Sequence, residues 1–329
     1  MFVRQIAKAC TVLFKIHVLK QRVPLFASWN LTFRCNLACK YCATHTIRSA
    51  ELSGPEVIEG LDALWDLGVR WVTFGGGEPL IRNDITDILR YAKSKGFQAF
   101  LSTNGWLAPE RTDALEYVDH VNISLDGGRD VHDAVRGEGA FDKAVAAVDL
   151  CTGLGIDVSL LCVLSKVNLD SVSQVLDIAS AHHVPVMFQP ATQWLNTSGE
   201  TNPIAPPVDA YRKTIENLIG LKKGGAPIRN SVAGLRHLAK WPDPAPIWCA
   251  AGVLISVIEP DGSVLACHQC QNSRLKEDTP LNATVADGFR DMVVPKPCAQ
   301  CWCAPIVELA LMFSLRPGAV LNGLRMSAR

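Results

Sequence analysis

The run Leu25-Phe26-Ala27-Ser28-Trp29-Asn30-Leu31-Thr32-Phe33 passes directly into Arg34-Cys35-Asn36-Leu37-Ala38-Cys39-Lys40-Tyr41-Cys42. Its first part has the composition of a strand, and its second sets three cysteines at Cys-x3-Cys-x2-Cys spacing on the loop that leaves it. Further strand-like apolar runs follow at Arg70–Gly75, Phe97–Ser102, His120–Leu125, Ile156–Leu164 and Val184–Gln189. Between them lie segments of helical periodicity, Pro55–Leu67, Asp84–Lys95, Phe141–Leu154 and Leu169–His182. Ser53 and Asn168 mark two of the helix starts. Strand–helix alternation repeated in this way calls for parallel strands joined by right-handed crossovers. It stops near residue 190, so the expected fold is α/β, a partial (βα)6 TIM-like barrel rather than a closed eight-unit one.

A thiolate loop this tight can wrap one metal cubane. Ordinary iron–sulfur clusters take four cysteines. Three leave one iron open, as open positions separate catalytic from structural metal sites. Buried cysteines or a zinc knuckle are the rival readings, with His45 as the local candidate for a fourth zinc ligand. Each following strand also ends in a polar or glycine-rich turn. Gly75-Gly76-Gly77-Glu78-Pro79 follows the second, with glycines where backbone must approach a ligand and a carboxylate suited to an ammonium. Thr103-Asn104 ends the third and Ser124-Leu125-Asp126 the fourth, all on the face where barrel enzymes place chemistry.

The three-cysteine spacing, with Tyr41 before the last cysteine, resembles the signature of the radical S-adenosylmethionine superfamily, and the similarity extends over about residues 25–189. The resemblance implies a [4Fe–4S] cluster on Cys35, Cys39 and Cys42 and bound S-adenosylmethionine. Tyr41 would then lie near the adenine, the Gly75–Pro79 segment at the methionyl amino group, and Ser124 and Asp126 near the ribose. Thr103 and Asn104 would face cofactor or substrate, and Gln189 the adenine side. His132 and Arg136 match a stretch common in the subgroup with C-terminal cluster modules; Arg136 is expected to pair with a carboxylate at the cofactor or on the surface.

Twelve cysteines without a secretory signal point to metal binding in a reducing, cytoplasmic setting. The expected organisation is an amphipathic helix over 1–23, the barrel over 24–195, and a linker over 196–248 with a helix at Val208–Lys223. A small Cys-rich β-hairpin and helix module over 249–303 and a helical tail over 304–329 complete it. In the module, Ile255–Ile258 and Ser263–Ala266 flank a Pro260-Asp261-Gly262 turn that draws Cys249 and Cys267 together. With Cys298-x2-Cys301-x-Cys303 the stretch resembles an auxiliary-cluster domain of the twitch or SPASM type. The ligand set for a second [4Fe–4S] cluster is Cys249, Cys267, Cys298 and Cys301, with Cys270 or Cys303 as alternatives and structural zinc as the rival. Cys270, His268 and Cys303 are the candidates for catalytic groups, from their place beside that site.

Lys+Arg 32 balances Asp+Glu 32, so there is no basic field to suggest a nucleic-acid partner. Both termini are apolar and basic, suited to docking on the barrel or to peripheral contact with an anionic membrane. The N-terminal stretch also resembles the leading segment of radical enzymes of hopanoid biosynthesis. The resemblance implies a low-potential electron donor such as flavodoxin or ferredoxin. A small-molecule or lipid substrate is the first expectation, because no separate peptide-recognition domain is visible; a peptide substrate is the alternative, and a non-enzymatic iron–sulfur or zinc protein the third.

Overall fold

The computed structural model describes residues 2–195, 200–267, 284–292 and 299–326, and among these the side chains from 10 to 323. Six parallel strands form in the order of the chain: β1 (Phe26–Thr32), β2 (Trp71–Gly76), β3 (Gln98–Thr103), β4 (His120–Ser124), β5 (Asp157–Leu164) and β6 (Val186–Pro190). All six expected strands are present, shifted by at most two residues at an end. The helices α2 (Gly54–Leu67), α3 (Ile85–Lys95), α6 (Ala140–Gly153) and α7 (Val172–Ala181) fall on the periodic segments. Ser53 starts α2 with a capping box to Glu56, and Gly68 ends it in the left-handed conformation. The short α4 (Thr112–Leu115) and α5 (Arg129–Arg136) are too brief and polar for apolar periodicity to reveal.

The Cys-rich module does not stand apart from this sheet. Its hairpin strands β9 (Ile255–Ile258) and β10 (Val264–Leu265) extend it, with β9 parallel to β1 from Phe26↔Ile255 to Trp29↔Ile258. The sheet runs β10-β9-β1-β2-β3-β4-β5-β6, an open partial barrel with β10 and β6 at its ends. Gly262, at φ +87°, makes the hairpin turn. The β6 edge is paired at one point and covered beyond it: Val186 forms a parallel bridge to Ile228 through backbone bonds with Pro227 and Arg229, and the buried Asn230 amide bonds both Phe188 N (2.8 Å) and Phe188 O (3.0 Å). That satisfies groups which would otherwise invite another strand.

Beyond β6, the expected loop carries a two-residue ladder, β7 (Trp194–Leu195) with β8 (Glu200–Thr201). The linker holds α8 (Val208–Lys223), as read, and also α9 (Val232–Leu238). Then come α10 (Val285–Asp291), α11 (Ala304–Phe313) and α12 (Pro317–Met326). At the other end α1 (Phe2–His17) docks Ile16 and Val12 against Ala250, Leu254 and Ala310. The main core lies between the sheet and its helices. Trp29 is fully buried, and a Cβ on Gly60 of α2 would sit 2.5 Å from its ring, so glycine sets that helix–sheet distance. No single helix among the described residues is long and apolar enough to cross a membrane.

Candidate active site

The C-terminal ends of β1 to β5 bring the expected residues to one mouth. Along the loop after β1, exposed Arg34, Asn36, Ala38 and Lys40 alternate with half-buried Cys35, Leu37 and Cys39. Cys35, Cys39 and Cys42 are free and half-buried, turned from bulk solvent without being lost in the core. Burial pushes the Cys35 thiol up and the Cys39 thiol up to about 11, with Arg136 opposing the rise in both. Cys42 N closes a turn onto Cys39 O at 2.9 Å.

The glycines at the end of β2 serve this loop directly. Gly77 N bonds Thr32 O at 2.7 Å and Glu78 N bonds Arg34 O at 2.9 Å, so the two loops run in backbone contact. A Cβ on Gly76 would lie 2.2 Å from Thr32 O and one on Gly77 2.1 Å from Arg34 O, whereas one on Gly75 meets only Ser102 at 3.7 Å. The expected approach was to a ligand; the close approach in the structure is to the end of β1 and the start of the cysteine loop. Pro79 starts a short 3-10 turn that Glu78 caps.

Glu78 is fully buried. Its carboxylate accepts from Leu80 N (3.1 Å), Thr103 Oγ1 (2.8 Å) and Asn104 N (2.8 Å), joining the ends of β2 and β3. Burial raises its pKa to about 7 against the pull of those three donors. Asn104 reaches back to the cysteine loop, with Nδ2 on Asn36 Oδ1 at 2.8 Å and 3.9 Å from Cys35 Sγ.

Asp126 is the other hub. Oδ2 accepts from Arg136 Nε (2.6 Å) and Tyr41 OH (3.0 Å), and Oδ1 accepts from Val163 N (2.9 Å). Arg136 also donates to Tyr41 OH and sits 3.9 Å from Cys39 Sγ. Burial works against the guanidinium charge, but Asp126, Tyr41 and Cys39 outweigh it and hold Arg136 protonated. The expected carboxylate partner of Arg136 is thus a buried one at the mouth, not a surface ion pair. His132 is fully buried and accepts Asp126 N on Nδ1 at 3.0 Å. Burial, reinforced by Arg136, pushes it down to about 4, so it is neutral with its proton on Nε2. Asn168, read from the sequence only as a helix start, ties the loop after β5 in by donating to Asp126 O and Val163 O, both at 2.8 Å. Ser124 closes β4, half-buried.

Gln189, expected on the adenine side, accepts the backbone N–H of Ala304 at 3.2 Å. It joins the end of β6 to the cysteine-bearing segment. Cys249, Cys267, Cys301 and Cys303 are half-buried, the first three packed against the main core and Cys303 at the start of α11. Cys298, Cys270 and His268 lie outside the described residues. Among the described residues, no three His, Cys, Asp or Glu side chains converge on one metal ion. A cubane places its thiolates on different irons and makes no such demand. The half-buried thiols of Cys35, Cys39 and Cys42, with N–H donors from Asn104 and Arg136 beside the first two, fit an anionic iron–sulfur cluster.

The comparisons agree with this chemistry. A model of the radical SAM superfamily matches residues 29–179. The mycofactocin maturase MftC of Mycobacterium ulcerans is 32% identical over 263 residues, which cover 74% of this chain and 68% of the relative. This chain belongs to the radical S-adenosylmethionine superfamily. As a radical S-adenosylmethionine enzyme it resembles PqqA peptide cyclase of Ruegeria pomeroyi, 28% identical over 261 residues, 75% of this chain and 68% of the cyclase. Fe-coproporphyrin III synthase of Methanosarcina barkeri is 37% identical over 173 residues, 50% of this chain and 43% of the synthase. The chain spans 64% of MftC from Mycolicibacterium smegmatis, to which it is 30% identical over 259 residues, 74% of this chain. In fold it resembles Streptococcus suis SuiB bound to precursor peptide SuiA, with TM-score 0.67 and 16% identity over 88% of this chain and 69% of that one.

Proposed function

We propose that this radical S-adenosylmethionine enzyme modifies a peptide. The observation that carries the reading is the likeness to PqqA peptide cyclase across three quarters of the chain, through the barrel and beyond it. SuiB, with its precursor peptide, shares the fold. The small-molecule or lipid expectation finds support only in a shorter match: the Fe-coproporphyrin III synthase matches half of the chain and favours a tetrapyrrole as the second reading.

When bound, a [4Fe–4S] cluster and S-adenosylmethionine supply a low-potential electron and a 5′-deoxyadenosyl radical. Cys35, Cys39 and Cys42 hold the cluster. Asn36 and Asn104 fix the first turn of the loop, while Arg136 offsets negative charge beside Cys39. Asp126 is a positioning residue that holds Arg136 and Tyr41, and Ser124 keeps the ribose role. The fully buried Glu78 acts through the backbone it orders, and exposed Gly76 leaves backbone open for the methionyl end. Cys249, Cys267, Cys298 and Cys301 bind a second cluster that holds substrate or accepts an electron from it. The alternately exposed residues 36–40, which with Asp133–Gly137 line an open depression of about 440 Å³, are where a flavodoxin- or ferredoxin-type donor approaches.

The test is anaerobic reconstitution with iron and sulfide, then reduction with S-adenosylmethionine and either a pooled synthetic peptide library or Fe-coproporphyrin III. Release of 5′-deoxyadenosine that rises with peptide, and vanishes in Cys35→Ala, is expected. Stimulation by the tetrapyrrole alone would overturn the peptide reading. About eight irons per chain are expected for two cubanes, and about four with one zinc would instead make the C-terminal site structural.

A further inference from the structure

Five of the ten large apolar side chains most exposed among the described residues fall in one region: Phe14, Val18 and Leu19 at the end of α1, and Leu315 and Leu321 at the α11–α12 corner. The two stretches are joined, since His17 Nε2 donates to Phe313 O at 2.8 Å. The other face of α1 is already spent on Ile16 and Val12 against the body of the protein. Leu315 has φ +56°, the left-handed position after a helix where glycine is usual, and it stands 59% exposed.

Along these two stretches of chain the charge has one sign. Lys15, Lys20 and Arg316 are exposed, and no acidic residue occurs in 1–50 or 309–329. A second copy is a poor occupant, because a two-fold contact would set these cations against themselves. Apolar side chains ringed by cations match an anionic lipid surface.

The region also lies far from the mouth. α11 starts where Ala304 bonds Gln189 at the C-terminal end of β6, and its ten residues run about 15 Å to Phe313. α12 bonds Arg229 O through Asn322, and the Arg229 guanidinium meets Ser159 and His120, near the N-terminal ends of β5 and β4. The chain leaving α1 enters β1 at its N-terminal end, with Leu25 N on Leu254 O at 2.9 Å.

We propose that the end of α1 and the α11–α12 corner dock this protein on an anionic lipid bilayer with the barrel mouth facing away. The substrate then arrives from water, a corollary that rests on the proposed catalytic reading; the lipid contact does not.

The test is co-sedimentation with vesicles of equimolar phosphatidylglycerol and phosphatidylethanolamine, against vesicles of phosphatidylcholine. Binding to the anionic vesicles is expected, weakening with salt. Phe14→Ser/Val18→Ser/Leu19→Ser and Lys15→Gln/Lys20→Gln should each lower it on the order of tenfold or more, with circular dichroism unchanged because those side chains are exposed. No binding by the wild type, equal binding to phosphatidylcholine, or indifference to both sets of substitutions would overturn the proposal. So would a dimer that the same substitutions disperse while vesicles are ignored. For orientation, 5′-deoxyadenosine release by the reconstituted enzyme should be unchanged at saturating anionic vesicles, and a loss there would overturn the outward mouth. Absence of release with or without vesicles would count against the catalytic reading, while sedimentation still decides the lipid contact.

Discussion

Three donors converge on the Glu78 carboxylate, and they limit what can replace it. Glutamine keeps the shape but turns an NH2 group toward Asn104 N or toward the Thr103 hydroxyl and Leu80 N. A buried donor then faces a donor, at a cost of about 1–3 kcal/mol. Glu78→Gln should lose that much in urea unfolding of the metal-free protein; an unchanged midpoint would refute the hub. His132 gives the second prediction. Its folded pKa of about 4 lies below the 6.5 of an ordinary histidine. The stability it contributes is therefore present above pH 6.5 and is lost as pH falls through about 4, a change on the order of 3 kcal/mol. Glu78 has the opposite sign. Its raised pKa gives a contribution that is full below 4.5 and lost as pH rises through about 7. Comparison with His132→Asn, whose amide oxygen can still accept Asp126 N, isolates the histidine: the variant's stability should fall less than the wild type's between pH 6.5 and 4. Parallel curves would rule it out.

At the scale of elements, the strands and long helices were legible because each buries a repeating pattern against the same core. Where the polar loops go was legible too, since parallel strands deliver their ends to one side. What those loops touch was not. Tyr41, Asp126 and Arg136 lie on three separate segments, and nothing in the Tyr41 motif or the Ser124–Asp126 turn names Arg136 as their shared donor. The bridging roles of Asn36, inside the cysteine motif, and of Asn168, read only as a helix start, were not legible, because a single amide joining two loops leaves no periodic trace. The glycines at the end of β2 were readable as a backbone approach to a ligand, but their packing partner, the chain around Thr32 and Arg34, was not. That partner makes a graded prediction. Gly75→Ala has ordinary space and should be tolerated, whereas Gly77→Ala drives a methyl toward a carbonyl oxygen that cannot move without displacing the cysteine loop. Gly77→Ala should lose about 1–3 kcal/mol or more and bind less iron after reconstitution. Equal iron content in the two variants would show that the loop contact is dispensable.

Across the whole molecule, the least legible feature is how the C-terminal segment attaches. A hairpin pattern announces the antiparallel neighbour β10, close in sequence; it says nothing of the parallel neighbour β1, more than two hundred residues earlier. The sequence therefore suggests a separable module, while the structure uses β9 to cover the edge of the first barrel strand. Val285 of α10 adds to this, lying 3.1 Å from where a Gly60 Cβ would sit and so beside the Trp29 ring. The barrel and its extension should consequently unfold as one unit. A chain ending after residue 248 would leave the Phe26–Trp29 edge unpaired and Trp29 stripped of part of its cover, the condition that favours strand-to-strand aggregation. Residues 1–248 alone should be rapidly proteolysed, lack a cooperative thermal transition, and bind an apolar dye that the full chain excludes. If they instead gave a sharp transition and a protease-resistant barrel, β9 would be an accessory to a self-sufficient sheet. The dependence of the first cysteine loop, at the far end of β1, on the last quarter of the chain would then fall with it.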